Sequence, residues 1–300
     1  MLNKQESLKS LETFSEQIEI EGRSLWQDAR MRFIKNKAAM ISLVVLILIT
    51  LAVIILPFMS SYTYDMTDWS EMTQAPSFQH IFGTDSLGRD IYVRTLIGGR
   101  ISLMVGILGA FVAIIIGTLY GATSGFLGGR IDRLMMRILE ILYSIPFMFL
   151  VIVLVTFFGR HIILIFVAIG AIAWLDMARI IRGQTLSLRN KEFIEAAYVS
   201  GVSKWTIITR HIVPNVLGIV AVYSTLLVPN MILTESFLSF LGLGVQEPMT
   251  SWGALLQEGA NTMDVAIWQL AFPAVFMVIT LFCFNYVGDG LRDALDPKDR

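Results

Sequence analysis

The chain holds 300 residues, 55% of them apolar and only 16% charged, with a net charge of −1 and a mean hydropathy of +0.67. A soluble domain of this length carries about a quarter charged residues, so the composition specifies an all-α integral membrane protein and argues against a nucleic-acid partner. The single cysteine, Cys283, rules out a disulfide within the chain, and there is no Gly-Lys pair from which a Walker-type phosphate loop is built.

Residues 1–37 are hydrophilic, carry seven Lys or Arg and precede a full-length apolar run, the wrong order for a cleavable signal peptide. Within them Leu25, Ala29 and Phe33 recur every four residues among Arg23, Arg30, Arg32, Lys35 and Lys37, the pattern of a helix lying on a membrane surface with basic residues at lipid headgroups. About 20 helical residues cross a hydrocarbon core of roughly 30 Å. Six runs are long enough: 38–58, 101–121, 138–158, 162–180, 215–238 and 265–287. The expected organisation is a first span over 38–60, an outer loop over 61–100, a core of five spans over 101–288 and a tail over 289–300. Nineteen of the 23 Lys and Arg residues fall on the side of the N-terminus, and Arg89, Arg94, Arg100 and Arg160 on the other. The positive-inside rule therefore predicts that both termini are cytoplasmic.

In the second run Gly109, Ala113, Gly117, Gly121 and Gly125 repeat every four residues, a stripe that lets another helix approach closely in a rigid or a sliding contact. Pro146 in the third run, and Pro229 beside Asn230 in the fifth, interrupt the backbone ladder. Such breaks either face a translocation pathway or are plain kinks. Glu140 and Asp176 stand within one turn of Arg137 and Arg179 and read as solvated or ion-paired inner helix ends with a structural role. Glu235 lies deeper, after Pro229, where a carboxylate faces a cavity or a partner, and it is expected to line the interior near an outer gate. His80, His161 and His211 are too dispersed for one metal site, and no catalytic centre is expected.

The loop 181–214, between the fourth and fifth runs, is polar and two-helical. Asn190 is a candidate N-cap, Glu192 puts negative charge in the first turn, and Gly201 sits where a helix ends in a left-handed residue. On the helix so defined Phe193, Ala196, Ala197 and Ser200 share a face that can lie flush in a groove. Ser203 caps a second helix, and Pro214 marks the bend into the next span. By spacing alone the loop is either a docking element or an ordinary amphipathic connector.

Glu195-Ala196-Ala197, three further residues, Gly201 and then Pro214 resemble the loop by which permease subunits of ABC importers engage their ATPases. FGTDSLGRD at 82–90, ESFLSFLGLG at 235–244, SWG at 251–253 and NYVGDGLRDALDP at 285–297 are similar to the peptide and nickel branch of those permeases, and the long N-terminus to its C-type subunit. The general loop prefers Ile and Leu where this chain has His211 and Val213, an ending common in the peptide branch. The resemblance implies a type I importer permease fold in the inner or plasma membrane of a prokaryote, and a pathway for oligopeptides or dipeptides. It implies four kinds of neighbour: a homologous B-type permease, two ABC ATPase subunits, an external substrate-binding protein and membrane lipid. ATP and Mg would be bound by the ATPases and no cofactor by this chain. Importers of nickel, metallophores or glutathione share the same motifs, and a stand-alone secondary transporter is the rival without an ATPase. The stretch 242–264 lacks Lys and Arg and reads as an outer docking or gating surface, or as an unspecialised loop.

Overall fold

The computed structural model describes residues 25–160 and 162–295. The first 24 residues, the Leu25 side chain, His161 and the last five residues with Pro297 lie outside them. Among the described residues the regular structure is entirely helical, with one isolated antiparallel bridge between Thr84 and Asp90. The helices are α1 Leu25–Lys35, α2 Lys37–Ile55, α3 Ile91–Leu127, α4 Gly129–Ser144, α5 Phe147–Phe158, α6 Ile162–Arg189, α7 Glu192–Val199, α8 Lys204–Ile207, α9 Val213–Phe240, α10 Trp252–Asn261 and α11 Trp268–Leu295.

Among the described residues four runs are long and apolar enough to cross a membrane: Lys37–Met59, Ile91–Leu127, Lys204–Phe240 and Trp268–Leu295. The pair α4 and α5 adds a fifth if it is one span. The expected run 162–180 falls on α6, which continues to Arg189. The run 138–158 is not one straight helix. It breaks at Ile145 and Pro146 with a 74° bend, because proline supplies no amide proton and holds the residue before it in an extended conformation. At 12 residues α5 covers about 18 Å and cannot cross a bilayer unaided.

The α3–α6 pair is the most extensive interface. The two helices run parallel: Gly109 stands opposite Ile169, Gly117 opposite Met177, Gly121 opposite Ala178 and Gly125 opposite Thr185. Ala113, in the same stripe, is fully buried. Ser124 donates to Asp132, whose carboxylate also takes two guanidinium N–H bonds from Arg182, at 2.5 and 2.7 Å, fastening α4 to the inner end of the pair. On the other flank α11 packs between α2 and α9, with Gly290 against Ala39 and Gly288 against Thr225. Those glycines belong to the 285–297 motif, and close packing is their role. The apolar stripe of α1 is corrected by this flank: Ala29 is buried, and Phe33 lies beside Gly290 of α11, so these two residues meet protein rather than lipid.

Candidate coupling segment and translocation surface

The polar loop folds as two short helices. Lys191, not Asn190, takes the N-cap position of α7 and offers no side-chain cap. Glu192 and Glu195 in the first turn complement the helix dipole instead. The helix ends in a Schellman motif: Gly201, at φ +77°, donates to the Tyr198 carbonyl at 3.1 Å, and Val202 donates to that of Ala197 at 3.2 Å. Ser203 then accepts from the Thr206 amide at 3.1 Å and starts α8. A π-helical turn, Ile208–Ile212, leads directly into α9, so Pro214 lies in the first turn of a continuing helix where its missing N–H is tolerated.

Ile194, Ile207, Ile208 and Ile212 are buried with Ala122, Met177 and Ile181, seating the loop on the C-terminal half of the α3–α6 pair. The expected four-residue face is split by this seating. Phe193, Ala196 and Ser200 are exposed, whereas Ala197 turns half inward against the core. Exposed with them are Tyr198 at 59%, Val199 at 86% and, from α8, Trp205 at 58%. Helical spacing alone does not single out these three, although such large apolar side chains in a polar loop mark a surface awaiting a partner. A groove of about 490 Å³ runs beside them, lined by Phe126, Arg189, Ile194, Glu195, Tyr198 and Lys204.

The 82–90 motif and the stretch 242–264 form a buried polar joint. Asp85 accepts from the Leu87 and Arg89 amides at 2.8 and 2.9 Å, from Arg89 Nε at 2.6 Å and from Arg94 Nη1 at 3.1 Å. Arg94, fully buried, reaches both Glu258 oxygens on α10 at 2.8 and 2.9 Å, and Arg89 reaches Glu247 at 3.0 Å. Burial raises the Glu258 pKa above the ordinary carboxyl value against the pull of Arg94 and Arg89. Beside this joint His80 is buried with one ring nitrogen 2.8 Å from Asp90 and the other 2.7 Å from Glu71. Asp90 also accepts from the Val93 amide and so caps α3.

Glu235 does not face a cavity. Its side chain is fully buried, and Ser102 of α3 and Ser239 of α9 donate to its two oxygens at 3.0 and 2.7 Å. Those hydroxyls accept in turn from the Trp252 and Val245 amides, each at 3.2 Å. The expectation that Glu235 lines the interior near a gate is thereby corrected: these hydroxyls exclude water and tie the α9–α10 loop to two helices. The glycines around it are there for closeness. A Cβ on Gly253 would meet the Ser236 backbone, and one on Gly99 would stand 2.6 Å from the Trp252 ring.

The three remaining pathway candidates separate. Pro146 is exposed at the α4–α5 break, and Pro229 is buried inside α9. Asn230 is exposed and lines a groove of about 330 Å³ with Asp176, Met177, Tyr223, Leu226 and Leu227. Glu140 pairs with Arg137 at 3.3 Å on the surface. Asp176 does not pair with Arg179. It accepts from the Tyr143 hydroxyl at 2.5 Å, while Arg179 lies over the Tyr143 ring at 4.7 Å.

Residues 109–300 match the family described as binding-protein-dependent transport system inner membrane component, and residues 24–76 match the N-terminal transmembrane domain of oligopeptide transport permease C. The chain is 67% identical to the oligopeptide transport system permease protein OppC of Escherichia coli (strain K12), with both chains covered in full. It is 46% identical to the protein of that name from Bacillus subtilis (strain 168), over 95% of this chain and 94% of the relative. Identity to the glutathione transport system permease protein GsiD of Pectobacterium atrosepticum is 39%, over 92% of each chain.

Proposed function

The chain belongs to the family of inner membrane components of binding-protein-dependent transport systems, and from that premise we propose that it forms, with a homologous B-type permease, the pathway of an ATP-driven importer for oligopeptides. It is a non-catalytic membrane subunit. Two separate ATPases would bind ATP and Mg, and an external binding protein would deliver the cargo. The higher identity to OppC, 67% against 45% for the dipeptide permease DppC and 39% for the glutathione permease, supports oligopeptides first, dipeptides next and glutathione after them. Insertion in an inner membrane through six spans with both termini cytoplasmic belongs to the same reading.

The observation that carries the ATPase reading is α7, a short helix anchored by Ile194 that exposes Phe193, Ala196, Tyr198 and Val199 on the side where basic residues concentrate. Closure of two ATPases around ATP would carry this helix, and with it α9, which is continuous with the loop, so that the spans tilt and open outward. Coupling is reciprocal, so a loaded receptor docking outside would favour ATPase closure. Purification in mild detergent should bring down a second permease and two P-loop ATPases, and the complex in proteoliposomes should take up peptide only with ATP and receptor. A self-sufficient oligomer of this chain alone, transporting without nucleotide, would overturn the reading.

A further inference from the structure

Asp176 is exposed and unpaired with Arg179, and its surroundings define a groove. It lies halfway along α6, opposite the middle of α9, where the same groove is lined by Tyr223, Leu226, Leu227 and Asn230. On α6 the neighbouring Leu175, Met177 and Ala178 are buried, whereas Asp176 is exposed and points away from them. A carboxylate exposed beside these apolar side chains is strongly disfavoured against hydrocarbon, so this side of the chain faces an aqueous path or another protein. Its sole hydrogen bond among the described residues comes from Tyr143, to Oδ1, which leaves Oδ2 open to the groove. The nearest cation on its own helix, Arg179, is held over the Tyr143 ring.

We infer that this groove is a way station for the protonated α-amino group of a peptide in transit, with Asp176 as the charged acceptor and the Asn230 side-chain carbonyl as a neutral one. The inference deepens the proposed importer function and rests on it. The chemistry selects a primary ammonium: the groove lining holds one carboxylate and no Lys or Arg, an amide and a phenol supply neutral partners, and Met177, Ile180, Leu226 and Leu227 provide apolar walls without sequence preference. A single charge-assisted contact of this kind holds a backbone terminus common to all peptides. It is weak enough to release them.

The test uses the full complex in proteoliposomes with receptor and ATP. Asp176→Asn, which keeps shape and the Tyr143 contact, should lower peptide uptake kcat/KM about tenfold, while Asp176→Glu retains most of it. Assembly is checked by co-purification. In a Cys283→Ala background, Asp176→Cys should react with a small anionic methanethiosulfonate, which restores negative charge and uptake, and a cationic reagent should not rescue. Peptide trapped in the complex should slow that labelling. Equal uptake by the Asn variant, equal losses in the Asn and Glu variants, labelling indifferent to peptide, or labelling blocked simply by assembly with the second permease would each overturn the inference. If the wild-type complex itself fails to import peptide, it is the importer reading that falls.

Discussion

Gly117→Ala tests whether the α3–α6 contact is as close as its glycine stripe implies. A Cβ at Gly117 would stand 2.6 Å from Met177 Cβ, 2.8 Å from its Cγ and 2.8 Å from the Trp174 carbonyl oxygen. Ordinary contacts begin near 3.4 Å, so the helices would have to part by about 0.8 Å beside a Met177 that is 1% exposed and has nowhere to swing. Overpacking of this kind destabilises by about 1–3 kcal/mol, and the better helix propensity of alanine returns about 1 kcal/mol, leaving a net loss of about 1 kcal/mol. Gly218→Ala is the control. No atom lies within 4 Å of its added Cβ, so only the propensity gain remains and the sign reverses. Cys283 supplies the assay, because a thiol-reactive dye reports its exposure as the bundle opens on heating. The midpoint for Gly117→Ala should fall by about 2–4 °C and that for Gly218→Ala should hold or rise. A Gly117 variant at least as stable as the Gly218 variant would refute the close approach.

The His80 staple should be pH-dependent. Burial opposes its charge, but hydrogen bonds to Asp90 and Glu71 and their charges outweigh it, so the pKa stands above the ordinary 6.5. A raised folded-state pKa stabilises fully below the unfolded value and fades as pH rises through the folded one, so the stability gap between wild type and His80→Gln should be widest below about pH 6.5 and shrink as pH rises above it. Protease resistance of the outer loop reads this out, and a gap that grows with pH would contradict it. Arg94→Ala removes both N–H bonds to Glu258 and one guanidinium contact to Asp85, leaving Arg89 as the cation both still share, and should destabilise by about 2 kcal/mol in a thermal melt, with a loss under about 1 kcal/mol refuting a buried joint. Ala196→Trp should abolish ATPase co-purification without lowering the stability of the chain, whereas Ala197→Trp should lower stability too; identical behaviour would mean that both face the same way. Gly201→Val should destabilise by about 1–2 kcal/mol by resisting a positive φ, while Gly201→Asn is nearly neutral in the same melt.

Local signals were legible in the sequence, and distant ones were not. Gly201 and Ser203 act within a few residues of themselves, so their capping roles could be read directly, and the four-residue period of Gly109 to Gly125 gave the stripe that meets α6. Asn190 was misplaced as a cap by one residue because boundary positions compete on nearly equal terms. Glu235 was misjudged because its partner Ser102 lies 133 residues away, and no local pattern announces a hydroxyl arriving from another helix. The same holds for the 82–90 motif, recognisable as a motif yet silent about Arg94 and a Glu258 164 residues distant. For Asp176 the partner is again remote: the hydroxyl it accepts from belongs to Tyr143, 33 residues away on α4, so no local pattern reveals that it does not pair with Arg179.

The unbroken run from Lys204 to Phe240 has a mechanical consequence. Thirty-seven helical residues make a pushrod about 55 Å long, more than a bilayer is thick, with one end at the coupling helices and the other at the Ser239 joint. A stroke applied at Trp205 therefore arrives at the opposite face with no relay between separate parts. Whatever travel is lost along the way is lost at its two soft places, the π-turn at Ile208–Ile212 and the proline at 229.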